Sequence, residues 1–553
     1  MESEEKINIC ITDIFWDRVF LNIVIEGSDL IENAIYFSSG NDLYKIDLNK
    51  IDDKKYEAKV NITNINNGNM LDNKNYKIKV KNARDEYQVI SISSEVGFNL
   101  ESLDRIYRYN NDCYAYTINF ETIELEDEKI SCILKSRYME LNKNSKKKCV
   151  INNKGFLGTI KLNIKNLTEI FLKILYKCFC IMNLGTKNGI LLMSETRSPI
   201  SGNLKALDNR LKERGLNKKY KISYYFSKSL EEGEIKLILK WIKLLWIISK
   251  QSFIFIDDYS PLFKFINLNK KTKLIQVWHA GVGFKSVGYA RFGFGGPEPY
   301  NSCHRKYDYA IVGSRALMPV YEEVFGISQE KILPYGLPRL DDFLNEEKII
   351  KTRKNIYEKY PELKENKIIL FAPTFRGKGQ RKAYYPYEKL DLENIFKLCN
   401  EKGYLFLIKM HPFIKEKIEI PEEYKTKIID FSDYPDINDL FYITDVLITD
   451  YSSNIYDFSL LNKPVILYTF DLNSYELINN IQRPVKKYAP GKVCCDFDEV
   501  IKAIKNEDFE LEKLHRYREE NFDYINANSS DLIIDNIILK GERNAKKDIN
   551  NKC

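Results

Sequence analysis

Short apolar runs that end in polar residues alternate with amphipathic segments from about residue 166 onward, and the series runs through twice. NGILLMS, KISYYF, FIFIDD, KLIQVWH and YDYAIVGS read as strands of a first series; LKALDNRLKERG, residues 234–250 and ALMPVYEEVFG read as its helices. NKIILFAPT, YLFLIKMH, DVLITD and PVILYTF are strands of a second series, separated by LENIFKLCNEKG, INDLFYIT and SSNIYDFSLLN. Strands that alternate with helices pair in parallel through βαβ crossovers. Buried parallel strands are apolar on both faces, as these runs are. The reading is α/β: two Rossmann-like doubly wound domains in a GT-B-like arrangement, with boundaries at 166–345 and 346–540. The region from about 497 is predicted helical and charged, and a helix is predicted from an Asn166-Leu167-Thr168 cap through Cys180.

Residues 1–160 differ. IYFSSG, LYKIDL, YEAKVNITNI, YKIKVKN, YQVISIS and CILKSRYMEL alternate apolar and polar residues between Asn, Asp and Gly breaks. They predict a small, mainly β N-terminal domain with no catalytic constellation, a targeting or spacing module. A chain of 553 residues requires such division.

Bulk chemistry narrows function little. The net charge of +7 permits a nucleotide, a polymer phosphate or an acidic lipid and selects none of them. No dense basic arm is present, and nucleic acid is not an expected partner. Eleven cysteines without a CxxC pair point to free thiols in a reducing compartment, and no metal site is expected. The acidic N-terminus MESEEKINICITD does not read as a secretory signal, and no uncharged stretch reaches the roughly 18 residues of a spanning helix. In EIKLILKWIKLLWIISK, Lys236, Lys240 and Lys243 share a helical face flanked by Trp241 and Trp246. That face suits an anionic membrane surface, but the strand that follows at once favours a helix packed on its sheet. The Gly- and aromatic-rich GYARFGFGGPEP (288–299) lacks phosphate-loop spacing and reads as a long turn.

Doubly wound sheets bind ligands at the carboxyl ends of their strands. Four such ends are polar: Trp278-His279; Thr374-Phe375-Arg376; Lys409-Met410-His411-Pro412; and Asp450-Tyr451-Ser452-Ser453. The chain has only four histidines, and His279 and His411 occupy one end in each half. An imidazole accepts a hydroxyl proton near neutral pH or donates to a phosphate oxygen. Arg376, Lys409 and Lys285 are cations placed to offset phosphate charge. Ser452 and Ser453 open a helix whose free N–H groups attract anions, although from this segment alone ordinary capping is the commoner explanation. Asp450 reads as a cap or as a ligand contact.

At these residues the chain resembles the CDP-glycerol glycerophosphotransferase family, which includes the teichoic acid polymerases. The matching stretches are IDDYSP (256–261), LIQVWHAGVGFKSVGY (274–289), YGLPRLDDF (335–343), LFAPTFRG (370–377), IKMHPF (408–413) and VLITDYSSNIYDFSLLNKPVILYTFDLNSY (446–475). The resemblance implies a CDP-linked polyol donor and a membrane-linked polymer acceptor. It implies His279 as the acceptor-side base and His411 as support for the donor diphosphate, with Asp450, Ser452 and Ser453 around the donor. Thr374, Arg376 and Lys409 join that donor group as candidates; Lys285 and Arg483 are loop candidates. Two stretches depart from the family pattern. Ala280 stands where a Gly often follows the His, and in NNIQRPVKKYAPGKV only Arg483 and Pro490-Gly491 match.

The expectation is a transferase that moves glycerol phosphate from CDP-glycerol to a teichoic acid or capsule-type polymer and releases CMP. It works on the inner face of the cell membrane as a peripheral protein. No cofactor is required, and a divalent cation carried by the donor diphosphate is compatible with it. A CDP-ribitol enzyme, a primase, a nucleotide-sugar GT-B glycosyltransferase and a non-catalytic polymer-binding protein are the alternatives.

Overall fold

The computed structural model describes residues 9–17, 19–27, 30–66, 68–82, 84–109, 114–125, 129–140, 156–183, 188–228, 234–279, 287–290, 292–293, 296–298, 302–377, 382–472, 475, 483–523 and 528–540, with backbone only at 156–166, 234, 293, 296–297 and 342. It divides into two compact units. One combines 1–169 with 286–305 and 323–325; the other holds 170–285, 306–322 and 326–553.

The first unit is built on an eleven-stranded sheet. Its long ladder pairs Tyr114–Glu124 with Ile130–Glu140, antiparallel, and alternate residues such as Ile118 and Leu134 are buried. Strand alternation with one apolar face produces this kind of sheet. The helix Phe156–Met182 starts ten residues before the Asn166 cap signal. Apolar residues at helical spacing, Phe156, Leu157, Ile160 and Ile164, continue the periodicity upstream and override the local cap.

The second unit contains two all-parallel sheets of six strands each. In space the first runs Lys221–Phe226, Gly189–Ser194, Gln251–Ile256, Lys273–Gln276, Tyr309–Ile311, Ile332–Leu333. The second runs Ile428–Asp430, Tyr404–Ile408, Lys367–Phe371, Val446–Thr449, Val465–Tyr468, Lys492–Cys494. Each order reverses direction beside its first strand in sequence, which creates a crevice at the carboxyl ends. Both faces of the second sheet are covered. Ile368, Leu370, Leu405, Leu407 and Leu447 enter one core; Ile369, Phe371, Phe406, Ile408 and Ile448 enter the other.

The last helical segment, Ser529–Ile533 continued by Ile534–Leu539, follows the second sheet in sequence but packs with the first. Ile533, Ile534, Ile537 and Ile538 share a core with Ile190, Leu192, Phe253 and Ile275. Arg210 and Arg214 hold Asp531 at 2.6 and 2.9 Å. The helix Glu234–Ile248 packs inward through Trp241, Leu244, Leu245 and Ile248. Among the described residues, no helix is long and apolar enough to cross a membrane.

Candidate active site

In the first parallel sheet, the crevice lies between the ends of Gly189–Ser194 and Gln251–Ile256. The residues that leave those two strands are Glu195-Thr196-Arg197 and Asp257-Asp258. Glu195 is buried, accepts Trp241 Nε1–H at 2.7 Å and accepts the Ser260 hydroxyl. Thr196 Oγ1 donates to Asp258 at 2.6 Å, and Arg197 pairs with the buried Asp257 at 3.3 Å. Burial pushes the Asp257 carboxyl up to about 6, against the opposing pull of Arg197.

His279 enters this crevice from the next strand. Trp278, just before it, holds a left-handed φ of 50°. Such backbone is costly for a bulky residue and persists where surroundings enforce it. Here Gln276 Oε1 accepts the Trp278 N–H at 2.8 Å, and Asn203 Nδ2 donates to the carbonyls of Val277 and Trp278 at 3.1 and 2.7 Å. The result aims the imidazole at the Asp257 backbone: Nδ1 lies 2.9 Å from that carbonyl oxygen and 4.0 Å from Asp258 Oδ1. A carbonyl only accepts, so Nδ1 carries the proton and the Nε2 lone pair is left to take one. Burial lowers the His279 pKa; Asp258 opposes that, and Arg197 and Arg339 add to it. The neutral, basic form therefore prevails at neutral pH.

In the second sheet, the crevice falls between Lys367–Phe371 and Val446–Thr449. Thr374 and Asp450 leave these strands and meet: Thr374 N–H donates to Asp450 Oδ1 at 2.8 Å. Arg376 donates to Asp450 at 2.8 Å, and to Asp471 at 2.6 and 2.9 Å. Its guanidinium lies 5.0 Å from the Tyr475 ring and 5.5 Å from the Tyr451 ring. Arg376 is thus a buried clamp between two loops rather than a cation directed at solvent. Thr374 Oγ1 is buried with no hydrogen-bond partner among the described residues. Lys409 is also buried, donates to the Ser432 carbonyl at 2.8 Å, and has its pKa lowered by burial.

His411 packs against Phe375 and Phe413 with ring centroids at 4.8 and 4.6 Å. Its Nδ1 accepts the Phe413 N–H at 3.2 Å. That fixes the opposite tautomer from His279, with the proton on Nε2. Ser452 Oγ accepts the Asn454 N–H at 3.3 Å, whereas Ser453 is exposed and makes no side-chain cap on the helix Asn454–Ser459. Arg483 is buried and donates to Asn521 at 3.1 Å. Lys285 lies outside the described residues.

The structure brings Thr374, Arg376 and Asp450 into one network and places His411 beside the intervening Phe375. His279 joins the other half through a residue that sequence reading assigned no role. Arg339 donates to the His279 carbonyl and, at 2.5 Å, to Asp457 on the helix after Ser453. Asp257, Asp258 and Asp471 likewise had no assigned role. Asp257 and Asp258 stand at a strand end beside the order reversal, which is the signal that finds them. Among the described residues, no group of His, Cys, Asp and Glu is arranged to hold a metal ion.

Comparison with known proteins identifies the family of the chain. The family model described as CDP-Glycerol:Poly(glycerophosphate) glycerophosphotransferase matches residues 174–539. The teichoic acid ribitol-phosphate polymerase TarL of Staphylococcus aureus (strain NCTC 8325 / PS 47) is 29% identical, over 96% of this chain and 99% of the relative. TarK of the same organism, also a teichoic acid ribitol-phosphate polymerase, is 34% identical over 66% of this chain and 72% of its own length. The solved structure of the wall teichoic acid polymerase TagF is similar in fold, with a TM-score of 0.52 and 21% identity over 70% of this chain and 99% of that one. The chain thus belongs to the CDP-glycerol:poly(glycerophosphate) glycerophosphotransferase family of transferases.

Proposed function

We propose that the protein transfers a polyol phosphate from a CDP-polyol to a hydroxyl at the end of a teichoic acid-type polymer and releases CMP. The observation that carries this reading is the opposed tautomers of two strand-end histidines in a member of this family. An acceptor hydroxyl attacks the phosphorus that bears the polyol. Its proton passes to His279 Nε2, and the bridging P–O bond breaks so that CMP departs. His411 Nε2–H donates to the diphosphate, and the unpartnered Thr374 hydroxyl is a second donor. Phosphoryl transfer asks mainly for positioning and charge stabilisation, and a base plus oriented donors supply both. Arg376, Asp450 and Arg339 hold the loops that carry these groups. The arrangement of the two sheets is read as GT-B-like.

Ribitol phosphate is the favoured polyol, because the relative that aligns over nearly the whole chain is a ribitol-phosphate polymerase. Glycerol phosphate is the second reading, favoured by the family description. CMP release from CDP-ribitol and from CDP-glycerol, measured with one lipid-linked acceptor and read by product mass, tests both. Faster release from CDP-ribitol, with several units added per acceptor, is expected. Release of UDP from a UDP-sugar, with neither CDP-polyol consumed, would overturn the reading.

A further inference from the structure

Three consecutive carbonyl oxygens, those of Val277, Trp278 and His279, each accept a hydrogen bond from a side chain. Asn203 Nδ2 donates to the first two at 3.1 and 2.7 Å, and the Arg339 guanidinium donates to the third. The two donors are tied to each other, because the Arg339 backbone N–H donates to Asn203 Oδ1 at 3.1 Å. Asn203 is buried on the helix Gly202–Glu213, and Arg339 opens the helix Arg339–Phe343. Together they support the left-handed Trp278, a conformation that a bulky residue does not hold unaided. The other arm of the Arg339 fork pairs with Asp457 at 2.5 Å, and both side chains are mostly buried. Asp457 sits on the helix Asn454–Ser459, which follows the strand Val446–Thr449 and Asp450. Its neighbour Tyr456 is packed against the first sheet. The Tyr456 hydroxyl donates to the Asn521 carbonyl at 3.4 Å, and a Cβ at Gly313, just past the strand Tyr309–Ile311, would stand 2.0 Å from that hydroxyl. The short helix is therefore anchored twice, at a strand end of the first sheet and at the His279 turn. All of these residues belong to the second compact unit, and every link is a direct contact.

A guanidinium presents its N–H groups in a rigid planar fork, so the partner on one arm sets where the other arm reaches. Asp457 fixes the fork, and the fork fixes the His279 carbonyl. We infer that Arg339 is a positioning residue for the base: its pairing with Asp457 ties the aim of the His279 imidazole to the helix that follows the Asp450–Ser453 block. This deepens the proposed function and rests on His279 acting as the base. In that function the block lies at the donor, so a shift of the helix there reaches the base through Arg339. Asn203 is the second positioning residue, and it acts on the same turn. Charge acts in the same direction as geometry. Burial is the main cause of the low His279 pKa; Asp258 opposes it, and Arg197 and Arg339 add to it, while the Asp257 carboxylate is paired with Arg197. Loss of the Arg339 cation therefore raises the His279 pKa, and any water admitted beside a loosened ring raises it further.

The test uses the full chain with Arg339→Gln, Arg339→Lys, Asp457→Ala and the double variant Arg339→Gln, Asp457→Ala. The donor is whichever of CDP-ribitol and CDP-glycerol is turned over faster. Three readouts are compared: kcat for CMP release as a function of pH, calorimetric donor affinity, and the His279 ring signal by NMR titration, assigned by its loss in His279→Gln. Arg339→Gln is expected to lower kcat by about ten- to a hundredfold, the range for a misplaced catalytic group, with donor affinity within about twofold of wild type. It should also move the His279 titration and the acid limb of kcat to higher pH. Arg339→Lys keeps the cation without the planar fork and recovers part of kcat. Asp457→Ala lowers kcat, and the double variant falls no further than Arg339→Gln, because the two residues act through one path. Unchanged kcat in Arg339→Gln, or in Asp457→Ala should Arg339→Gln not fold, overturns the inference. So does a loss of donor affinity in Arg339→Gln that parallels its loss of kcat, an unchanged His279 titration, or losses that multiply in the double variant. Full turnover in His279→Gln would sink the assignment of the base instead, and the NMR titration would still decide whether Arg339 positions the ring.

Discussion

At the scale of single residues, the two histidines are distinguished by what touches Nδ1. The Asp257 carbonyl forces a proton onto His279 Nδ1, and the Phe413 amide takes the lone pair of His411 Nδ1. One ring is prepared to accept at Nε2 and the other to donate. His279→Ala should lower CMP release by about 100- to 10,000-fold, the usual contribution of a general base. Calorimetric titration should find its donor affinity unchanged. His411→Ala should weaken donor affinity as well as rate. Equal loss of donor affinity in both variants would reverse these roles. The pH dependence has a definite sign. A base works unprotonated, and burial holds the His279 pKa below its ordinary value, so kcat rises with pH on an acid limb below 6.5 and is flat at neutrality. Asp258 is the carboxylate that pulls this pKa back up. Asp258→Asn should therefore move the acid limb of the kcat profile to lower pH. A limb that moves upward would remove Asp258 from the electrostatics of the base.

At the scale of elements, much was legible. The strand runs, the four polar strand ends and the restart of the alternation follow from apolar periodicity and placed the two parallel sheets and their crevices. Three features were not legible, each because its cause is distant in sequence. The pairing of Arg376 with Asp471 spans 95 residues, so Arg376 looked like an open cation. Arg339 opens the short helix Arg339–Phe343, and no local pattern reveals its two partners. The return of Ser529–Leu539 to the first sheet shows only as Ile533, Ile534, Ile537 and Ile538, an apolar stripe that states no address. That return makes a prediction. Ile534 is fully buried against the first sheet, and truncation to Ala should cost about 2–5 kcal/mol by the usual range for such sites. Denaturant unfolding should register that loss. A cost near zero would mean the helix contributes nothing to the fold of the first half.

At the scale of the whole molecule, the proposed transfer to a polymer end predicts a surface that meets a membrane. Trp241 faces inward and is hydrogen-bonded to Glu195, so the helix Glu234–Ile248 gives its aromatic face to the fold. The helix Phe156–Met182 differs: Leu167, Ile170, Phe171, Ile174, Ile181 and Met182 are all exposed, with Lys173 and Lys177 along the same helix. An amphipathic helix with basic residues beside bulky apolar ones lies in a membrane interface through apolar burial and attraction to acidic lipids. We expect the purified protein to bind vesicles that contain acidic phospholipid, more weakly as salt rises, and to leave cell membranes in carbonate. Full burial of one such side chain contributes roughly 1.5–3 kcal/mol, and interfacial burial is partial. The double variant Ile170→Glu, Ile174→Glu should then reduce vesicle binding by at least tenfold while its CMP release with a soluble acceptor stays near wild type. Vesicle binding unchanged in that variant would move the attachment to another surface, and extraction by detergent alone would contradict a peripheral mode.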